Sequence, residues 1–152
     1  ELFGVPEAMD PFQWEGKAKV TKAFQDLSAL IDSAGLCTFF AVRHLAAKDL
    51  GVAPTGILAY LNAATGADYT LEELMAAGQR IINAERQFLT RAGFSRKDDS
   101  LPRRLTHTPA PTGPAQGQVC HLEEMLDDYY REQGWTSDGV PTPERLNQLG
   151  LS

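Results

Sequence analysis

The sequence has few of the features that several classes of protein need. It contains only two cysteines, Cys37 and Cys120, too few for a metal site built by this chain alone; a disulfide between them stays open. Lys and Arg number 14 against 20 Asp and Glu and are scattered, which argues against a nucleic-acid-binding surface. No apolar run is long enough to span a bilayer, and the N-terminus has no signal-peptide pattern.

Convincing stretches of alternating polar and apolar residues are also missing, which argues against strands. Apolar residues instead recur at spacings of three and four, as on one face of a helix. At 43% hydrophobic and 22% charged residues, the composition is that of an ordinary globular protein. We therefore predict a single all-α domain over 1–152, with five to six helices. The predicted helices cover about 15–34, 37–50, 54–64, 71–92, 122–133 and 143–149.

Two segments lack helical periodicity. Residues 1–14 are predicted to form an irregular N-terminal lead-in with exposed aromatic side chains. Either a preceding domain covers these side chains, or the segment is a loose chain end. Residues 93–118 predict a long Pro-rich connection that cannot be helix, because its prolines interrupt it repeatedly. The chain begins with Glu1 rather than Met, which is consistent with a processed product or a fragment of a longer protein.

Several helix boundaries carry specific signals. Thr70 with Glu73 forms a capping-box pattern, and Thr142 followed by Pro143 predicts another helix start. Gly78 lies on the apolar face that follows Thr70, where a residue without a side chain would let a second helix approach closely.

Charged residues within these elements have structural interpretations. Glu85 lies on the apolar face of its predicted helix, and we expect it to pair with Arg86 or Arg91. The cluster at 96–99 is either a solvated turn whose charges compensate one another or an anchor in which Arg96 or Lys97 forms ion pairs, within this domain or with an adjoining one. We favour the solvated turn, because exposed ion pairs alone contribute little stability.

The stretch from Asp32 to Cys37 joins two predicted helices. Gly35 suits the left-handed conformation that ends a helix, and Leu36 is expected to fold back onto its last turn. Cys37 would then lie at a helix N-terminus, where the dipole favours a thiolate, the form that binds metal. Asp32 faces the unfavourable end of the first helix dipole. The alternative is purely structural, a glycine cap followed by a small core cysteine.

This stretch resembles the D-x-x-G-L-C motif of the tungsten-containing aldehyde:ferredoxin oxidoreductase family. The resemblance runs over nearly the whole chain in the family's order. Its other parts are Gly93-Phe94-Ser95-Arg96-Lys97-Asp98-Asp99-x-Leu101-Pro102, Gly117-Gln118-Val119, Leu122-x-x-Met125-Leu126-x-x-Tyr129-Tyr130, Gly134-Trp135 and Gly139-x-Pro141-Thr142-Pro143.

The resemblance implies specific roles. In the family, the aspartate and leucine of the motif contact a pterin, and its cysteine is the last of four ligands to a 4Fe-4S cluster. By position these roles fall on Asp32, Leu36 and Cys37, with no catalytic residue assigned. The implied protein is a cytoplasmic enzyme that oxidises aldehydes to carboxylates. Its electrons pass from a tungsten or molybdenum pterin through the cluster to ferredoxin or a similar carrier.

The resemblance also implies that this chain is the C-terminal domain of a larger enzyme. The family's C-x-x-C-x-x-x-C run and its β-rich pterin-cradling domain are not in this sequence. We therefore expect both cofactors only in the full-length protein, with the upstream domains as partners. The substrate, the metal and the subunit count stay open, a homo-oligomer included. The alternatives are a stand-alone helical interaction module and a related pterin enzyme acting on another carbonyl or an aromatic thioester.

Overall fold

The computed structural model describes residues 9–39, Ala41 and 54–152. In these residues the chain forms helices joined by turns, with two isolated β-bridges. This confirms the all-α prediction. The helices are α1 (Lys17–Ser33), α2 (Pro54–Thr65), α3 (Leu71–Arg91), α4 (Arg103–Thr106), α5 (Leu122–Gln133) and α6 (Pro143–Leu149), with a 3-10 turn at Arg96–Asp98.

Two predicted segments lie partly outside the described residues. Of the lead-in, residues 1–8 are not described, and residues 9–16 form turns without regular structure. The predicted helix at 37–50 is described only at its start, where Thr38, Phe39 and Ala41 are helical. Among the described helices, none is both long and apolar enough to cross a membrane.

Helix α1 is the central element of the fold, since it packs against both α3 and α5. Leu27, Leu30 and Ile31 are buried on the face that the apolar spacing predicts. Phe24, which that spacing also places on the buried face, is 49% exposed. Asp26 is buried instead, with its carboxylate 2.6 Å from the Lys22 ammonium.

Helix α3 begins as predicted and crosses α1 at very short range. The Thr70 hydroxyl accepts from the Glu73 amide, and the Glu73 carboxylate accepts from the Thr70 amide, which completes the capping box. Further along, a β-carbon at Gly78 would overlap the main-chain carbonyl of Asp26. The prediction that Gly78 permits a close helix approach is therefore confirmed.

The buried face of α3 is more polar than its apolar spacing predicts. Asn83 and Arg86 are buried there, whereas Phe88 is 72% exposed. Glu85 is also exposed, and Arg86 pairs with Asp99 instead. The predicted pairing of Glu85 with a neighbouring arginine is therefore wrong, since the carboxylate is not buried and does not need a cation to compensate it.

The segment after α3 contains two single helical turns, at Arg96–Asp98 and Arg103–Thr106. The expectation that this segment cannot be helix overlooked both. Pro102 itself precedes the first residue of α4, a position where its fixed φ and missing N–H are tolerated. The two turns are too short to produce a recognisable apolar period.

The last two helices follow the predicted boundaries. Helix α5 ends at Gly134 in the left-handed conformation (φ 74°). The Thr142 hydroxyl accepts from the Arg145 amide at 3.2 Å and caps α6. Gly134 lies against the Arg145 side chain, where a β-carbon would come within 3.1 Å of Cδ. The connection between the two helices is therefore tight, and both the left-handed conformation and the contact with Arg145 favour glycine at position 134.

Candidate functional site

The turn after α1 has the full hydrogen-bond pattern of a glycine-capped helix end. Gly35 has a φ of 70°, its amide donates to the Asp32 carbonyl at 3.0 Å, and the Leu36 amide donates to the Ile31 carbonyl at 3.1 Å. This pair of bonds defines the Schellman motif. It confirms that Gly35 ends the helix and fixes the direction in which the chain leaves it.

Leu36 is partly buried and packs against the core. Its side chain lies on the cluster of Leu27, Ile31, Ala41 and Ile57. The predicted folding back of Leu36 is therefore confirmed, and the turn is held from inside by an apolar contact. Such a contact commonly accompanies a Schellman turn.

Cys37 lies at the start of the following helix. Its carbonyl accepts from the Ala41 amide at 3.0 Å, the first bond of that helix. Its thiol is free and exposed, so the core-cysteine alternative does not hold. Cys120 is also free, so the two residues form no disulfide.

The Asp32 carboxylate connects the two helix ends. The Thr38 hydroxyl donates to Asp32 Oδ1 at 3.0 Å. This bond ties the last turn of α1 to the first turn of the next helix. Asp32 and Cys37 are both exposed and stand at the two ends of this turn.

The surface around this turn is apolar as well as charged. Phe39, two residues after Cys37, is 88% exposed. Asp32 also borders a groove of about 510 Å³ between α1 and α3, along which Phe24 and Ile82 lie. Exposed apolar side chains concentrated in this way are typical of surfaces that contact another domain or a ligand.

A second polar constellation lies in a cleft of about 420 Å³ between α3, α5 and the 98–101 turn. Arg86 donates to both carboxylate oxygens of Asp99, at 2.9 and 2.6 Å, and to the Gly139 carbonyl at 2.6 Å. The Tyr130 hydroxyl also donates to Asp99. A β-carbon at Gly139 would collide with the Arg86 guanidinium, so a glycine is needed here.

Electrostatics in this cleft stabilise the ion pair. Partial burial disfavours the charged form of Asp99, but the hydrogen bonds from Arg86 and Tyr130 outweigh it, so the pKa of Asp99 is lowered. Burial and the neighbouring carboxylate raise the pKa of Tyr130. Arg86, Asp99 and Tyr130 already interact with one another, which indicates a structural network rather than a catalytic one.

The charged residues of the cluster at 96–99 have their partners in and beside this cleft. Arg96 donates to the carboxylates of Glu123 and Asp127, at 2.8 and 2.6 Å, and lies over the Tyr130 ring. The Arg96 and Asp99 charges are therefore bound to other elements of this domain rather than to each other. The favoured interpretation as a solvated turn is therefore wrong, and the anchoring alternative holds: Arg96 fixes the turn against α5.

The described residues contain no group of three or more His, Cys, Asp or Glu side chains that could hold a metal ion. Any metal centre at the Asp32–Cys37 surface would therefore need ligands from outside these residues. What the surface offers is one exposed thiol and one exposed carboxylate held by a rigid turn.

Comparison with known proteins identifies the family. A family profile described as aldehyde ferredoxin oxidoreductase, domains 2 & 3, matches residues 1–151. The tungsten-containing aldehyde ferredoxin oxidoreductases of Pyrococcus furiosus and Thermococcus kodakarensis are 43% and 42% identical to this chain, and each alignment covers 100% of the chain.

A second protein of Pyrococcus furiosus, named aliphatic sulfonate oxidoreductase, WOR-like subunit, is 31% identical over 82% of the chain. The chain spans 24% of the length of the two aldehyde ferredoxin oxidoreductases and 20% of this third relative. With a profile that matches it almost from end to end, the chain belongs to the aldehyde ferredoxin oxidoreductase family.

Proposed function

We propose that this chain is the C-terminal part of an enzyme that oxidises aldehydes to carboxylates and passes the electrons to ferredoxin or a similar carrier. The observation that carries the proposal is the turn from Asp32 to Cys37, which has an exposed carboxylate at one end and an exposed thiol at the other. The family's motif coincides with this turn, and relatives named tungsten-containing aldehyde ferredoxin oxidoreductases match the whole chain.

The residues present fit the cofactors that the family implies. Cys37 would supply a thiolate to a 4Fe-4S cluster, for which cysteine is the usual ligand. Asp32 would accept hydrogen bonds from the amino groups of a tungsten or molybdenum pterin, a charge-assisted contact. The pterin-bound metal supplies the two-electron oxidation, and the cluster carries electrons onward.

Leu36 would contribute to the same pterin contact. Its side chain is only partly buried: one part packs against the core cluster and holds the turn, and the exposed part is open to the pterin. The Thr38 hydroxyl restrains the Asp32 carboxylate, so less rotamer freedom is lost when the carboxylate binds. The role of this chain is therefore to hold two cofactor-binding groups, the Asp32 carboxylate and the Cys37 thiolate, at a fixed separation.

The cluster assignment is tested by Cys37→Ser in the full-length protein, with Cys120→Ser as the matched control. We expect Cys37→Ser to lower the iron content and alter the cluster spectrum while leaving the helical circular dichroism unchanged. Cys120→Ser should leave iron and spectrum at the wild-type level, because the Cys120 thiol contacts Met125 within the domain. Unchanged iron and unchanged spectra in Cys37→Ser would refute the ligand assignment.

The pterin assignment is tested separately by Asp32→Ala. Loss of a charge-assisted hydrogen bond costs about 1.5–3 kcal/mol, so the dissociation constant for the pterin should rise about ten- to a hundredfold, and less pterin should remain bound after gel filtration. Thr38→Val is the control for the loss of the Thr38 bond alone and should retain most of the pterin. Wild-type pterin content in Asp32→Ala would contradict the role.

The isolated chain is expected to bind neither tungsten nor a stable cluster, since one thiolate cannot hold four irons. Anaerobic reconstitution followed by metal analysis tests this. Stoichiometric iron and tungsten on the isolated chain would show that it needs no upstream ligands.

A second candidate function keeps the family and changes the substrate. It is favoured by the relative named aliphatic sulfonate oxidoreductase, WOR-like subunit, which is 31% identical over 82% of the chain. Assay of the full-length enzyme with aldehydes, aliphatic sulfonates and aromatic thioesters would decide between these reactions. The third alternative, a stand-alone helical interaction module, would be supported by a native polypeptide with no upstream cysteine run.

A further inference from the structure

Among the residues that the structure describes, three buried polar atoms on different helices have no hydrogen-bond partner. They are Asp26 Oδ1 on α1, Gln133 Oε1 at the end of α5 and Arg145 Nε on α6. Asp26 is 1% exposed and Gln133 is 0% exposed. A buried polar group without a partner is unfavourable because it has lost its hydrogen bonds to bulk water, so each of these atoms needs a specific explanation.

The contacts around these atoms place them in one layer of the fold. The Asp26 main chain lies directly against Gly78 of α3. The next residue of α3, Gln79, accepts from Arg145 Nη2 at 2.7 Å. Helix α3 thus brings Asp26 and Arg145 to neighbouring positions, and the attraction of Arg145 also acts on the Asp26 carboxylate.

Gln133 joins the same layer through the α5–α6 connection. The Arg145 side chain covers Gly134, the residue that follows Gln133. On its other side, Gln133 Nε2 donates to the Tyr129 hydroxyl at 2.9 Å, which leaves only Oε1 without a partner.

The polarity of the three atoms identifies what can satisfy them together. The carboxylate and amide oxygens accept hydrogen bonds, and the guanidinium Nε–H donates one. A metal cation would be repelled by Arg145 and by Lys22, which already binds the other Asp26 oxygen. An anion would be repelled by Asp26. A neutral molecule that donates twice and accepts once matches all three atoms, and water is the smallest.

We propose that Asp26, Gln133 and Arg145 enclose a binding site for one internal water molecule. The water donates to Asp26 Oδ1 and Gln133 Oε1 and accepts from Arg145 Nε. Internal waters typically make about three such bonds and occur about once per 27 residues. The water would connect α1, α5 and α6 at a point where their side chains do not meet directly.

The first test is a crystal structure of the protein at a resolution that shows ordered solvent. The expected result is one fully occupied water within hydrogen-bond distance of the three named atoms. Three results would overturn the proposal: no solvent density, a direct bond from Arg145 Nε to Asp26, or a Gln133 amide whose nitrogen faces Asp26.

The second test uses Gln133→Met, which keeps the length of the side chain and removes the acceptor. Nuclear Overhauser contacts between the buried water and nearby amide protons, present in the wild type, should be lost in this variant. Gln25→Met is the matched control, because it removes the Gln25 bond to Tyr129 and leaves the three atoms in place. Persistence of the contacts in Gln133→Met would show that Gln133 is not a ligand of the water.

Discussion

The close approach of α1 and α3 at Gly78 predicts that Gly78→Ala destabilises the fold. A β-carbon at this position would overlap the main-chain carbonyl of Asp26. A backbone atom cannot rotate away as a side chain can, so the two helices must separate. Overpacking of this kind costs about 1–3 kcal/mol, and a backbone collision belongs at the upper end of that range.

The same substitution also has a stabilising component. Alanine is favoured over glycine in a helix by about 0.8–1.0 kcal/mol. The net loss in the free energy of unfolding is therefore about 2 kcal/mol. With a urea m-value of about 2 kcal/mol/M, the unfolding midpoint should fall by about 1 M.

Urea unfolding followed by circular dichroism measures this shift, and Ala84→Gly is the matched control. Ala84 is an exposed residue of the same helix, so its change to glycine reports helix propensity alone and should cost about 1 kcal/mol. The reasoning would be refuted if Gly78→Ala raised the midpoint by about as much as Ala84→Gly lowers it, since propensity would then be the whole effect.

Two further predictions concern the ion pair in the cleft and the start of α3. Asp99→Asn should cost about 3 kcal/mol, because it leaves the Arg86 charge buried without its partner. Asp128→Asn should cost less than about 1 kcal/mol, because its partner Arg131 is exposed to solvent. The pKa of Asp99 is lowered in the folded state. The Asp99 carboxylate therefore stabilises the fold fully at pH values above its unfolded pKa of about 3.9, and this stabilisation is lost as the pH falls through the folded pKa. Urea midpoints should therefore fall less steeply with decreasing pH in Asp99→Asn than in the wild type. Thr70→Ala removes the side-chain cap of α3 and should cost about 1 kcal/mol by the same unfolding assay, and an unchanged midpoint would show that the cap is dispensable.

Helix ends were predictable because their chemistry is local. The capping box at Thr70, the glycine turn at Gly35 and the cap at Thr142 each depend on residues within a few positions of one another. The turn at Gly35 also positions Asp32 and Cys37, so the geometry of the candidate site could be inferred from six consecutive residues. Its cofactor roles could not, and they depend on the family resemblance.

The buried polar residues were not predictable in the same way. Trp135 Nε1 donates to the buried Asn83 at 2.8 Å across 52 positions, and Arg86 reaches Gly139 across 53. Such pairs leave no periodic pattern in the sequence. Apolar spacing also places Phe24 and Phe88 on the buried face, because it cannot distinguish a side chain that enters the core from one that stays exposed beside it.

The position of Gly78 gives it an influence on the candidate site as well as on stability. It contacts α1 at Asp26, six residues before Asp32, which is about 9 Å along the helix. If an alanine at 78 tilted α1 by about 10° around this contact, the end carrying Asp32 would move by about 1.5 Å.

Misplacements of about 1 Å at a functional group can cost about a hundredfold in rate. In the full-length protein, Gly78→Ala should therefore perturb the cluster spectrum at temperatures where the fold is intact, even though residue 78 does not belong to the turn that carries Cys37. Thr70→Ala is the control, because it lowers stability through a cap at the far end of α3 and leaves the crossing with α1 in place. If both variants had the wild-type spectrum while folded, the orientation of α1 would not control the site, and the turn at Gly35 alone would set the positions of Asp32 and Cys37.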